Sequence, residues 1–406
     1  MMNLNNNQFF KKNKKLTLIF LVLTSVSIRI PIIFIFGDDN LQGEWRQLVN
    51  NLIAHGTLSY QKFDDFLLPN LFMPPLYAYY LYLFSFLNLE LQSYINVILF
   101  SQAFLATGSV IIFYEINKIF FSQKISFYSS LVFSFFPIHV YACSQISSIS
   151  LQTFFLLSFF YLFFQLSKKA DFLSILIFSF VSGLLILLRG EFIVILFFSI
   201  FYLFIFFKIK LKNIILIMLI SIITISPYLT RNILTFDKIT ITKSFGFNLW
   251  KGNNVNSGVE GSEFMDETLK EKVNSVYKDK FFRINVDKIY TKEAIDNIKN
   301  DQEKYLISYF KKILAFLFID NNSTQPNYYN PFHYLPLLLI GVTSLFGIIL
   351  SDKKSTKMNY LILIFLLNVL IFSSFFILPR YKLSILPLQL IFTNILINNI
   401  KSYFTK

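Results

Sequence analysis

Ten stretches of this chain are each about as long as a bilayer-spanning helix and almost free of charge, and that pattern leaves few architectures open. A hydrocarbon core of ~30 Å needs roughly 20 helical residues. Leu16 to Phe36 supplies 21 and follows Lys11, Lys12, Lys14 and Lys15 with no small-residue cleavage site before Gly37, so it reads as an uncleaved signal anchor. Further runs lie near residues 93–115, 125–143, 150–167, 171–188, 191–207, 213–230, 333–350, 359–379 and 383–400. Leu76 to Leu89 is too short to span comfortably and is expected along the interface. With 55% hydrophobic and 15% charged residues among 406, a soluble globule is excluded. The expected fold is an all-α polytopic membrane protein of about ten transmembrane helices, with juxtamembrane helices and a small polar loop region.

The charge pattern sets an expected topology. Net charge is +14, yet most lysines sit in short clusters between apolar runs, which points to membrane orientation rather than to nucleic acid. With the N-terminus inside and 76–89 at the interface, Lys118 and Lys124, Lys168 and Lys169, Lys208, Lys210 and Lys212, Lys353, Lys354 and Lys357, and Lys401 and Lys406 all fall inside. Three parts follow: residues 1–230 with a first outer loop at 37–92, an outer loop or cap at 231–332, and C-terminal helices at 333–406. The abundant Phe and Tyr, 52 and 22, read as compositional bias of the genome. One cysteine, Cys143, excludes a disulfide framework, and His55, His139 and His333 are too scattered for a histidine-based metal site. A divalent cation is left open, with no residue pattern to support one.

The six arginines are distributed unlike the lysines. Arg29, Arg46, Arg189, Arg231, Arg283 and Arg380 all fall on the expected outer side or near the outer end of a span. A planar multi-donor cation in that position suits phosphate or carboxylate recognition, although structural ion pairs use it equally. Carboxylates sit at the same side: Asp38 and Asp39 follow the first span directly, where they either serve as a general base or cap the next helix. After them, Leu41, Trp45, Leu48, Val49 and Leu52 recur at helical spacing and leave Glu44 on another face, as in an interfacial amphipathic helix. Met73-Pro74-Pro75-Leu76-Tyr77 opens a second juxtamembrane helix. The 231–332 region is too polar for a large core of its own and reads as a small lid.

In order along the chain, these strings resemble the GT-C glycosyltransferases, in particular the bacterial branch related to dolichyl-phosphate-mannose protein mannosyltransferases and the lipid A aminoarabinose transferase. The resemblance rests on Asp38-Asp39 ahead of the amphipathic helix, on Met73 to Tyr77, on Gly183-Leu184 through Arg189-Gly190-Glu191, and on Pro227-Tyr228 through Asn232. It extends to Asn248 through Asn254 and to Arg380-Tyr381-Lys382-Leu383-Ser384-Ile385-Leu386-Pro387. A second outer-loop acid of the family is absent near Ser148 to Phe154, where Gln152 is the nearest match.

The resemblance implies an inverting transferase in the cytoplasmic membrane, working on the extracytoplasmic side. It takes a sugar from a polyprenyl-phosphate carrier and gives it to a lipid, glycan or protein acceptor. Asp39, with Asp38 and Glu44 as alternatives, would be the base; Arg189, Arg380 and Arg231 would hold the donor phosphate; Glu191, Asn248, Asn253 and Tyr381 would contact sugar or acceptor. Membrane lipids are the remaining expected partner. A polysaccharide polymerase and a lipid-linked sugar transporter or flippase are the rival readings.

Overall fold

The computed structural model describes residues 14–41, 43–63 and 66–404; Lys11, Lys12 and Lys406, read above as topological charges, lie outside them. Helix α1 (Lys14–Phe36) buries Thr17, Leu21, Ser25, Arg29 and Ile33, one residue in every four. That stripe faces the bundle, while Leu16, Ile19, Leu23, Phe34 and Ile35 stay exposed, as a lipid-facing surface requires. The first loop holds α2 (Gly43–His55), a small antiparallel pair β1 (Gln61–Phe63) and β2 (Phe66–Leu68) with Gln61 opposite Leu68, and α3 (Pro75–Ser85). Pro75 sits in the first turn of α3, where its missing N–H breaks no helical bond, and 11 residues are too few to cross a bilayer.

The expected spans then appear in order. They are α4 (Leu91–Phe120), α5 (Gln123–Phe135) with α6 (Pro137–Ala142), α7 (Ile149–Lys168), α8 (Phe172–Leu188), α9 (Phe192–Ile205) and α10 (Leu211–Phe236). Four helices of the polar region follow: α11 (Phe245–Gly252), α12 (Glu267–Asn274), α13 (Phe282–Asn300) and α14 (Gln302–Leu317). The chain ends with α15 (Pro331–Ile349), α16 (Thr356–Ser373), a 3-10 turn at Pro379–Ser384, and α17 (Leu386–Phe404). One expected span departs from the sequence reading: 125–143 is broken, because Pro137 has no N–H and forces Phe136 to an extended ψ of 118°. Among the described residues, α1, α4, α7, α10, α15 and α16 are long and apolar enough to cross a membrane, and α8 and α9 are shorter apolar helices. The protein is an all-α polytopic membrane protein.

Contacts at helix ends show which termini share a face. Glu115 near the end of α4 pairs with Lys118 at 2.8 Å and with Lys14 at the start of α1 at 3.9 Å. The Tyr202 hydroxyl of α9 donates to Thr356 O at 2.8 Å, Asn213 of α10 donates to Ala170 O at 3.4 Å, and Asn399 of α17 donates to Leu350 O at 3.3 Å. These contacts gather the described lysine clusters at one end of the bundle. The first loop and α11–α14 occupy the other end, called the loop face below.

Lipid is as apolar as leucine, so close contact and interhelical hydrogen bonds hold such a bundle together. Tyr360 of α16 stacks on Phe163 of α7 at 3.7 Å and hydrogen-bonds Ser199 of α9 at 2.8 Å. Asn394 of α17 donates to Asn117 of α4 at 2.9 Å and to Ser129 of α5 at 2.8 Å. Two glycines let backbones touch: a Cβ added at Gly183 would lie 2.6 Å from the Thr224 side chain, and one at Gly347 would lie 1.9 Å from the Phe392 carbonyl oxygen. On the loop face a compact cluster of Trp250, Leu269, Val286, Tyr290 and Ala294 gives α11, α12 and α13 a small core of their own. Gly347→Val should destabilise the detergent-solubilised protein by about 2 kcal/mol, the usual cost of overpacking. Gly258→Val, at a glycine with open space around it, is expected to leave the unfolding midpoint unchanged.

Candidate active site

Where α1 ends, the chain is held against the segment after α6. Gly37 must lack a side chain, since a Cβ there would come 2.3 Å from Ile33 O. Gln145 donates to Phe36 O at 2.8 Å, and the Asp38 N–H donates to Ser144 O at 3.1 Å. The Asp38 carboxylate then accepts the Ile146 N–H at 2.6 Å. Asp38 is half-buried, and burial pushes its carboxyl above the usual aspartate range, with the Ile146 N–H opposing and Asp39 adding to the rise. Asp39 is exposed and makes no hydrogen bond with the described residues. Glu44 lies elsewhere on α2, within electrostatic reach of Tyr60 and Arg283.

Tyrosines connect Asp38 to the arginines. Tyr77, Tyr141 and Tyr328 each feel the Asp38 charge. The rings of Tyr141 and Tyr328 meet edge to face at 4.9 Å. Burial holds the Tyr328 hydroxyl well above the ordinary tyrosine range; Arg380 opposes that rise, and Tyr141 and Asp38 add to it. Both the Asp38 carboxylate and the Arg380 guanidinium thus act electrostatically on the Tyr328 hydroxyl. Arg380 itself forms no hydrogen bond or ion pair with the described residues. Its neighbour Tyr381 lies under the Arg189 guanidinium at 4.8 Å, and Arg189 pairs with Glu191 at 3.2 Å. The Arg189 Nε is buried and has no partner. Asp38, Tyr328, Arg380, Tyr381, Arg189 and Glu191 thus form one linked series on the loop face.

The other arginines are occupied. Arg29 is fully buried inside the bundle, away from the loop surface, where it donates to Ser25 O at 2.9 Å and Ser134 O at 3.2 Å and bonds the His139 ring at 2.9 Å. Arg46 donates to Leu41 O at 2.8 Å. Arg231 donates to Asn70 O at 2.9 Å and to the Asn232 side chain at 2.7 Å, which fastens α10 to the first loop. Arg283 donates to the Tyr60 hydroxyl and stacks on Phe72 at 4.8 Å. Asn253 is buried and engaged at both ends of its amide, donating to Leu249 O and Ser374 O and accepting from Lys312 at 3.1 Å. Asn248 is half-buried on α11, and its side chain makes no hydrogen bond with the described residues. Gln152, the nearest match to the missing acid, is buried at the start of α7 with its Oε1 unpartnered. Among the described residues, no group of three or more His, Cys, Asp or Glu side chains is arranged to hold a metal ion.

Two parts of the arrangement escaped sequence reasoning. Tyr141 and Tyr328 carried no signal among 22 tyrosines, and Tyr77 entered only as the end of the Met73 to Tyr77 string. Lys382, noticed only as part of a string, is fully buried and donates to Ala315 O, to Phe316 O at 2.9 Å and to Phe318 O at 2.5 Å. Burial pushes its ammonium down to about 7, with Asp320 opposing. Gln389 donates to the remaining carbonyl, Leu317 O, at 3.0 Å. Together they satisfy the end of α14 and anchor the turn that carries Arg380 and Tyr381.

No family model and no curated protein matches the sequence. Solved structures do match in shape. The Archaeoglobus fulgidus oligosaccharyltransferase, tethered with an acceptor peptide containing the NVT sequon, superposes with a TM-score of 0.58 at 13% identity, over 98% of this chain and 50% of that one. Its apo form gives 0.56 at 13% identity, over 97% and 51%. ArnT from Cupriavidus metallidurans gives 0.39 at 11% identity, over 93% and 76%. The chain spans about half the length of the oligosaccharyltransferase. At these identities the likeness is one of fold alone, shared with the oligosaccharyltransferase. Lys382→Met should cost roughly 3 kcal/mol, because it leaves buried helix-end carbonyls without donors. Thermal unfolding in detergent and faster amide exchange at the end of α14 are the measurements.

Proposed function

We propose that this protein is an integral-membrane glycosyltransferase that moves a sugar from a polyprenyl-phosphate carrier to an acceptor, with inversion at the anomeric carbon. The observation that carries the reading is the pairing, on one face of a GT-C fold, of a half-buried carboxylate with a guanidinium that no described residue neutralises. In this reading the loop face is extracytoplasmic, the N-terminus and the lysine clusters are cytoplasmic, and the membrane is the inner one. Residues 231–332 form the cap over the site, between the helices of 1–230 and those of 333–406.

Asp38 is the base favoured by the geometry, ahead of Asp39 and Glu44. It is held by a backbone N–H, and its raised pKa suits it to accept a proton. The acceptor oxygen or nitrogen attacks the anomeric carbon from the side opposite the phosphate. The bond from that carbon to the phosphate oxygen breaks, its electron pair stays on the phosphate, and the acceptor proton passes to Asp38. Arg380 and the open Nε of Arg189 hold the phosphate as charge develops on it. Glu191 and Tyr381 fix Arg189 in place, Arg231 supports the first loop, and Asn248 is the asparagine left free for a sugar hydroxyl. Asn253 acts through structure, since its amide is already engaged.

Asp38→Asn is expected to lower sugar transfer by about 10²–10⁴-fold, the usual range for loss of a general base, and Asp39→Asn to change it little. The reverse order would move the base to Asp39. Because Asp38 must be ionised to act, wild-type activity should fall on the acid side at a pH above the ordinary aspartate range, and that limb should vanish in Asp38→Asn. Arg380→Ala is expected to raise the KM for the lipid donor by about 10–100-fold, corresponding to one charged hydrogen bond, with insertion into the membrane unchanged. An unaltered donor KM would argue against phosphate binding at Arg380.

A further inference from the structure

A groove of about 650 Å³ opens on the loop face beside the site described above. It runs between the exposed flank of α14, the turn at 257–261 and the segment at 320–324. That volume is in the range of small-molecule sites. Both of its loop walls continue into the candidate active site. On one side the Ile377 N–H donates to Val259 O at 2.9 Å, three residues before Arg380. On the other, Thr324 lies four residues before Tyr328. Glu260 ties the two walls together, accepting the Thr324 N–H at 2.9 Å, the Thr324 hydroxyl at 2.6 Å and the Ser323 hydroxyl.

The lining decides what chemistry fits. Glu260, Asp301, Glu303 and Asp320 face Lys304 and Lys311, so carboxylates outnumber ammonium groups and a phosphorylated or other anionic ligand is disfavoured. Ser257, Ser308, Asn322 and Thr324 add side chains that can both donate and accept, which suits hydroxyls that give and receive hydrogen bonds. Val259 and Ile307 are the apolar lining residues, too few to make side-chain pockets for a peptide, and no described strand borders the groove to pair with one.

We infer that this groove is the acceptor subsite and that it takes an uncharged saccharide. The inference rests on the glycosyltransferase reading and adds the acceptor class to it. The lipid donor's phosphate goes to Arg380 and Arg189, and the neutral glycan lies in the acidic groove with its reacting hydroxyl directed toward Asp38. Opposite local charge keeps the two substrates in their own subsites.

The test uses the full chain in its native membrane, with the photoreactive residue p-benzoylphenylalanine in place of Ser308, followed by irradiation, purification and mass analysis. Adducts carrying a ladder of sugar masses are expected. Peptide adducts, phospholipid adducts alone, or no adduct would each overturn the inference. In a transfer assay, Ser308→Trp and the surface change Glu303→Lys should each raise the acceptor KM about tenfold and leave the donor KM unchanged. If Arg380→Ala impairs transfer while both groove variants keep the wild-type acceptor KM, the groove assignment fails and the glycosyltransferase reading stands. If the wild-type protein transfers no sugar, the glycosyltransferase reading fails, and the adduct masses still report what occupies the groove.

Discussion

A carbonyl at the end of a helix has no partner within that helix, and where the helix end is buried there is no water to replace one. At the end of α14 four successive carbonyls, from Ala315 to Phe318, are satisfied by Lys382 and Gln389. Those two donors flank the junction between the 3-10 turn and α17, so satisfying the helix end also fixes the turn. Arg380 and Tyr381 precede Lys382 directly, and Tyr381 in turn supports Arg189. The placement of the cationic half of the site therefore follows from an obligation of the backbone. A chain that left these carbonyls unpaired would lack the bonds that hold the turn carrying Arg380.

The carboxylate half is fixed by the same kind of bond. Asp38 lies two residues beyond the end of α1, and its position depends on backbone groups of 144–146. That segment lies beyond the end of α6 at Ala142, outside any helical ladder, so its Ser144 carbonyl and Ile146 N–H are available to Asp38. Those two bonds turn one of two adjacent aspartates inward.

Architecture was largely legible because lipid imposes a length and a polarity that ordinary sequence reading detects. The spans, the interfacial α3 and the clustering of lysines at one end could be read from 20-residue runs and charge alone. The choice within the site could not. Asp38 and Asp39 are chemically identical neighbours, and only the Ile146 N–H separates a held carboxylate from an exposed one. Six arginines on one side looked alike in sequence, yet Arg29, Arg231 and Arg283 are consumed by carbonyls and aromatic rings that lie far away along the chain, and Arg46 by the Leu41 carbonyl five residues before it. Tyr328 was invisible for a different reason, since its significance comes from standing between two charges and not from its own type.

The occupied arginines also explain why so few cations suffice at the proposed donor site. An arginine whose donors are filled by carbonyls holds its position but offers little to a ligand, because a new contact must displace an existing one. Arg380, with no hydrogen bond or ion pair to the described residues, and Arg189, with a buried Nε still open, are the guanidinium groups of this series that gain hydrogen bonds without losing any. Glu191 neutralises part of the Arg189 charge and Tyr381 lies under its guanidinium, so Arg189 is held in place with one donor still open. In the proposed reaction these open donors are what a leaving phosphate would use, while the carboxylate stays free to take a proton.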